Sequence, residues 1–167
     1  SHSPLFGERV NVLSRLLDGE KTLLLVPLRS LLWPLPAPDE LLSQLQSFAP
    51  GDTIEPVALT AELTQRGYSR VSRVSLRGEF ALRGEVLDLF PPGSEHAVRL
   101  VFGFDEVEEI KLFDVGTQSS VKQLSHVAIP PLREVVWNEQ TLSRLHNHLG
   151  ELPELSGERD GIVQRLR

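Results

Sequence analysis

The sequence predicts an α+β protein: a small antiparallel β-rich domain set into a piece of a helix-and-strand domain. Three observations predict it. Helical spacing dominates the first 65 residues, short alternating segments separated by turn residues follow, and helical spacing returns after Pro130-Pro131. The boundaries drawn from these changes are 3–50, 51–130 and 131–167, with Pro50-Gly51-Asp52 marking the first.

In the first part, residues 8–17 place Val10, Leu13, Leu16 and Leu17 on one helical face, and Gly19 is a C-terminal stop. Thr22 to Pro27 contains the continuous run Leu23-Leu24-Leu25-Val26, which reads as a buried strand of a parallel sheet. Arg29 to Trp33 is expected to form a helical turn ended by Pro34, and Asp39 to cap a helix carrying Leu41, Leu42, Leu45 and Phe48.

In the second part, Val57 to Gln65 reads as a helix closed by Gly67. Candidate strands are Ser69 to Ser75, Glu79 to Leu82, Glu85 to Phe90, Ala97 to Phe102, Glu108 to Phe113 and Val127 to Ile129. Val98, Leu100 and Phe102 alternate with Arg99 and Val101, as a half-buried antiparallel strand requires. Glu79–Leu82 and Glu85–Phe90 form a strand pair with Arg83 at the bend, the feature that most suggests a contact surface. In the third part Asn138 is placed to cap a helix with Leu142, Leu145 and Leu149, and the tail from Glu151 is polar.

Composition narrows the function classes. Of 167 residues, 40% are hydrophobic, enough for a core, and there are no cysteines, which excludes thiolate metal sites and fits a reducing cytoplasm. No apolar run approaches the roughly 20 residues that span a bilayer. A formal charge of -6 speaks against a dedicated nucleic-acid binder. Arg66, Arg70, Arg73, Arg77 and Arg83 nevertheless make a basic island interrupted only by Glu79. Solvated surface arginines explain the island as well as a protein contact does, and single-stranded DNA stays a third reading.

No catalytic constellation emerges. Gly19-Glu20-Lys21-Thr22 echoes the end of a phosphate loop, but it follows a helix and opens a strand, the reverse of the order phosphate cradling needs. His146 and His148 lie two apart in a predicted helix and so face different ways, while His96 and His126 are isolated; no metal is expected. Asp105, Glu106, Glu108 and Glu109 read as solvated charges at a strand turn.

The order of residues from Tyr68-Ser-Arg through Gly78-Glu-Phe-Ala-Leu-Arg-Gly-Glu-Val-Leu-Asp-Leu-Phe-Pro-Pro-Gly93 to Phe113-Asp114 resembles the transcription-repair coupling factors and, less closely, the excision-repair subunit UvrB. The resemblance spans roughly residues 4–149. It implies a β-rich domain that docks UvrA, interrupting a degenerate RecA-like domain, in a module that recruits UvrA to stalled RNA polymerase and is itself non-catalytic. It places UvrA contacts on Arg70, Arg77, Arg83 and Glu106. It implies no cofactor in this segment, and for a longer parent ATP, magnesium, double-stranded DNA, RNA polymerase and a C-terminal domain of its own as partners. A fragment of the UvrB-type helicase subunit is the alternative. Two departures stand out: Ala81 replaces an arginine of UvrB-like members, and Phe102-Gly-Phe-Asp replaces the usual Phe-Phe-Gly-Asp.

Overall fold

A computed structural model describes residues 4–17, 19, 21–29, 38–133, 139–151 and 159–164. The chain divides into two units, Ser1–Glu134 and Val135–Arg167. The mixed helix and strand content and the antiparallel sheet are those of an α+β protein.

The first unit opens with helix α1 (Pro4–Leu17), closed by Gly19, whose φ of 74° is left-handed. Gly7 lets α1 approach Pro92, where any Cβ would collide. Residues 21–27 form no strand. Leu23 and Leu25 are 88% and 86% exposed, which overturns the expected buried strand. The physical reason is pairing: an apolar run becomes a strand only where a neighbour accepts its hydrogen bonds, and none of the described residues does so here. Leu28-Arg29 makes a short 3₁₀ turn; the rest of the expected turn to Trp33 lies outside the described residues.

Helix α2 (Pro38–Gln44) starts on its proline, so Asp39 sits inside the first turn rather than at the cap. It ends before Phe48, which belongs to strand β1 (Gln46–Phe48). Strand β8 (Val127–Ile129) pairs antiparallel with β1, Phe48 facing Val127, and so ties the start of the β-rich region to its end.

Helix α3 (Pro56–Gln65) is capped by the Glu55 carboxylate, which accepts from the Val57 and Ala58 amides at 2.9 and 2.5 Å. Gly67, at φ 99°, ends it. A six-stranded sheet follows, in the order β2 (Ser69–Arg70), β3 (Glu79–Arg83), β4 (Val86–Leu89), β5 (Ala97–Gly103), β6 (Glu106–Phe113) and β7 (Ser120–Leu124). All pairs are antiparallel except β2–β3. The strand expected over Ser69 to Ser75 shrinks to two residues, because the chain beyond Val71 turns up over the sheet to bury Val74.

Register divides the sheet into two faces. Phe80, Leu87, Leu89, Val98, Leu100, Phe102 and Ile110 share one face with Leu59 and Leu63 of α3, forming the main core. Tyr68 anchors its margin by donating to the Pro130 carbonyl at 2.7 Å, and burial drives its phenol far above the usual tyrosine range. The other face carries Ala81, Asp88, Arg99 and Lys111 in one cross-strand row.

In the second unit, helix α4 (Glu139–Glu151) buries Leu142 and Leu149, with Leu145 and Ile162 of α5 (Arg159–Gln164) packed against them. The expected cap Asn138 lies outside the described residues. No described helix is long and apolar enough to cross a membrane.

Candidate docking surface

The Arg83-Gly84-Glu85-Val86 connection is a two-residue hairpin with Gly84 at φ 58°, the glycine-first pattern that suits the right-handed twist of paired strands. Arg83 is therefore the last residue of β3, on the second face of the sheet. Its Nη2 donates to Asp88 Oδ2 at 2.7 Å, across the diagonal of the hairpin. Asp88 is buried to 1% exposure and also accepts a bidentate pair from Arg99, Nε to Oδ1 at 2.6 Å and Nη2 to Oδ2 at 2.9 Å. Arg99 in turn lies 4.4 Å over the Phe113 ring and reaches Gln118 Oε1 at 3.3 Å. Hydrogen bonding to Asp88 holds the Arg99 guanidinium above its ordinary range, against the opposing effect of burial.

The geometry gives one buried carboxylate two guanidiniums. Arg99 is largely covered, whereas the Arg83 side chain stays 48% exposed. Asp88 thus holds Arg83 in place while leaving its outer edge available to a partner. Around it lie the half-buried Val86, Val101 and Glu109, registered across three strands, with Lys111 paired to Glu109. At its opposite end the same face is covered: Val74, Ala81, Phe90, Ala97 and Phe113 form a second small core beneath the 71–76 loop.

The four residues singled out from sequence do not make one cluster. Arg77 sits in the turn before β3 and Arg83 ends the strand, so the length of β3 lies between them. Arg77 donates to the Ser94 carbonyl at 2.9 Å and lies 5.0 Å over Phe90. Arg70, exposed in β2 beside Phe80, belongs to that same far end. Glu106 opens β6 opposite Gly103, at the end where Arg83 lies, and is exposed. Arg66, a member of the basic island, is committed elsewhere: its Nη1 donates to the Gln44 carbonyl at 2.7 Å, and burial lowers its pKa.

Sequence reasoning missed Asp88 and Arg99. They are 11 residues apart, and only the β4–β5 register makes them direct neighbours. The signal available was a lone acid in the apolar run Val86-Leu-Asp-Leu-Phe90, a position that demands a partner once it is buried. Among the described residues no group of acids and histidines is arranged to hold a metal ion.

Comparison with known proteins agrees with this region. Residues 47–134, just over half of the chain, match the model of the family described as the UvrB interaction domain. The chain is 30% identical over 146 residues to the transcription-repair-coupling factor of Borreliella burgdorferi, covering 87% of this chain and 13% of that protein. It is 27% identical over 165 residues to that of Escherichia coli (99% and 14%) and 34% identical over 147 residues to that of Mycobacterium bovis (83% and 12%). The chain therefore spans only about an eighth of the length of these relatives. The match begins within β1 and runs past β8, so it contains the stretch that these strands stitch together, and on that evidence the chain belongs to the UvrB interaction domain family.

Proposed function

We propose that this chain is a protein-docking module of a transcription-repair coupling factor and that its partner is UvrA. The observation that carries the reading is the Arg83–Asp88–Arg99 arrangement: a half-exposed arginine fixed by a buried carboxylate on an otherwise half-open sheet face, in a chain of the UvrB interaction domain family. Arginine held in a fixed geometry is a favoured interface anchor because little rotamer freedom remains to be lost on binding. Arg83 is the central contact; Glu106 lies at the same end of the sheet, and Arg70 and Arg77 contribute from the other end.

Recruitment of UvrA to RNA polymerase stalled at damage, ATP-driven movement on double-stranded DNA, and shielding of the docking face by a C-terminal domain are functions we assign to the longer protein. For the chain in hand the role is contact rather than chemistry. A nucleic-acid role is disfavoured by the formal charge of -6.

Isothermal titration of the chain against UvrA from the same organism tests the reading. Arg83→Ala should weaken binding by at least about tenfold, the effect of removing an interface anchor worth about 2 kcal/mol. Unchanged affinity would remove Arg83 from the interface, and absence of binding by the unsubstituted chain would end the UvrA assignment altogether.

A further inference from the structure

Phe104 occupies the first loop position between β5 and β6, and its φ is 59°. Left-handed backbone is disfavoured for a residue with a Cβ, and a bulky aromatic there is an outlier. The glycine of this turn stands one residue earlier, at Gly103, against which the Glu108 side chain lies. The Phe104 ring gains nothing in compensation from the fold, since the residue is 88% exposed. Phe48, Phe80, Phe90, Phe102 and Phe113 are all buried, so among the described residues this is the one fully presented aromatic ring.

The tip that presents it is braced from both sides. The Phe102 amide donates to the Glu85 carbonyl at 2.8 Å, linking this turn to the Arg83-Gly84-Glu85 hairpin beside it. On the other flank the Ile54 amide donates to the Asp105 carbonyl at 2.6 Å and the Val107 amide to the Asp52 carbonyl at 2.9 Å, around a bridge between Thr53 and Glu106. A ring on so fixed a backbone forfeits little entropy when a partner covers it. Its exposed surroundings are acidic: Glu85, Asp105, Glu106 and Glu108.

We infer that Phe104 is the apolar anchor of the docking surface, entering an apolar pocket on the partner whose rim carries lysines or arginines. This rests on the reading of UvrA as the partner. It adds a second point of attachment, of opposite charge character, to the contact made by Arg83.

The test is titration of UvrA against the chain carrying Phe104→Asn, Phe104→Tyr or Arg83→Ala, with thermal unfolding of each variant. Asparagine tolerates the left-handed backbone, so Phe104→Asn should unfold at the same or a higher temperature while binding at least about tenfold more weakly. Phe104→Tyr, which keeps the ring, should retain affinity within about threefold. Unchanged affinity in Phe104→Asn alongside a weakened Arg83→Ala overturns the anchor and leaves the docking reading standing. Failure of the unsubstituted chain to bind UvrA overturns both. A lower unfolding temperature for Phe104→Asn would mark the ring as part of the fold and also overturn the inference.

Discussion

The two faces of the six-stranded sheet are made by the same strands and do different things. Across β3 to β6 the face under α3 is apolar, from Phe80 through Leu87 and Leu100 to Ile110, and each of these is fully buried. The opposite face has Asp88, Arg99 and Lys111 in its central row, a loop-covered apolar patch at one end and a half-open end at Arg83. One face therefore fixes the fold through area removed from water, which tolerates no polar group without a partner. The other spends its polar groups on holding one another in place, which leaves an arginine and an adjacent hairpin tip exposed.

Substitutions should separate these roles. The largest effect is expected on the apolar face: Leu100→Ala, at a position with no solvent exposure, should cost about 2–5 kcal/mol in stability by denaturant titration. A loss under about 1 kcal/mol would mean that α3 collapses onto the sheet and fills the space left by the side chain. On the charged face, Asp88→Asn should cost about 1–3 kcal/mol, because the buried site loses the charge that satisfies two guanidiniums. It should also weaken UvrA binding, since Arg83 loses its positioning partner. Arg83→Ala makes the sharper contrast: its pair with Asp88 is half exposed, so stability should change by less than about 1 kcal/mol. Equal destabilisation by Asp88→Asn and Arg83→Ala would show that Arg83 serves the fold.

The apolar face was the more legible of the two. Alternation in Ala97–Phe102 predicts β5 almost to its ends, because period two is imposed by burial on one side. Where burial is weak the pattern disappears: β7, Ser-Val-Lys-Gln-Leu at the sheet edge, is exposed over most of its length and carries no alternation to read. The opposite error occurs at Leu23–Val26, which has the composition of a buried strand but no described neighbour to pair with. Leu41, Leu42 and Leu45 precede Phe48 at helical spacing and predict it on the inner face of a helix, yet pairing with β8 wins. For the site, the bend at Arg83 could be read from Arg-Gly, whereas its anchorage on Asp88 depends on register, and the strained backbone of Phe104 has no signature in a phenylalanine.

The smallest effect concerns the covered end of the charged face. Glu79 Oε2 accepts from the amides of Ser75 and Leu76, both at 2.8 Å, and from the Ser75 hydroxyl at 3.1 Å, pinning the loop whose Val74 closes the second core. Burial pulls the Glu79 pKa upward, but these three donors outweigh it and hold the carboxyl below its usual value. A carboxyl lowered in the folded state stabilises the fold above its unfolded pKa of about 4.3, and that contribution disappears as the pH falls through the lower folded value. Acidification below about pH 4 should therefore raise amide exchange at Ser75 and Leu76 before it affects Leu87 or Leu100, and Glu79→Gln should remove most of that pH dependence. Simultaneous loss of protection on both faces would show that the 71–76 loop and the main core unfold as one unit. Protection lost first at the loop would show that the second face can loosen at one end while the sheet that carries Arg83 stays intact.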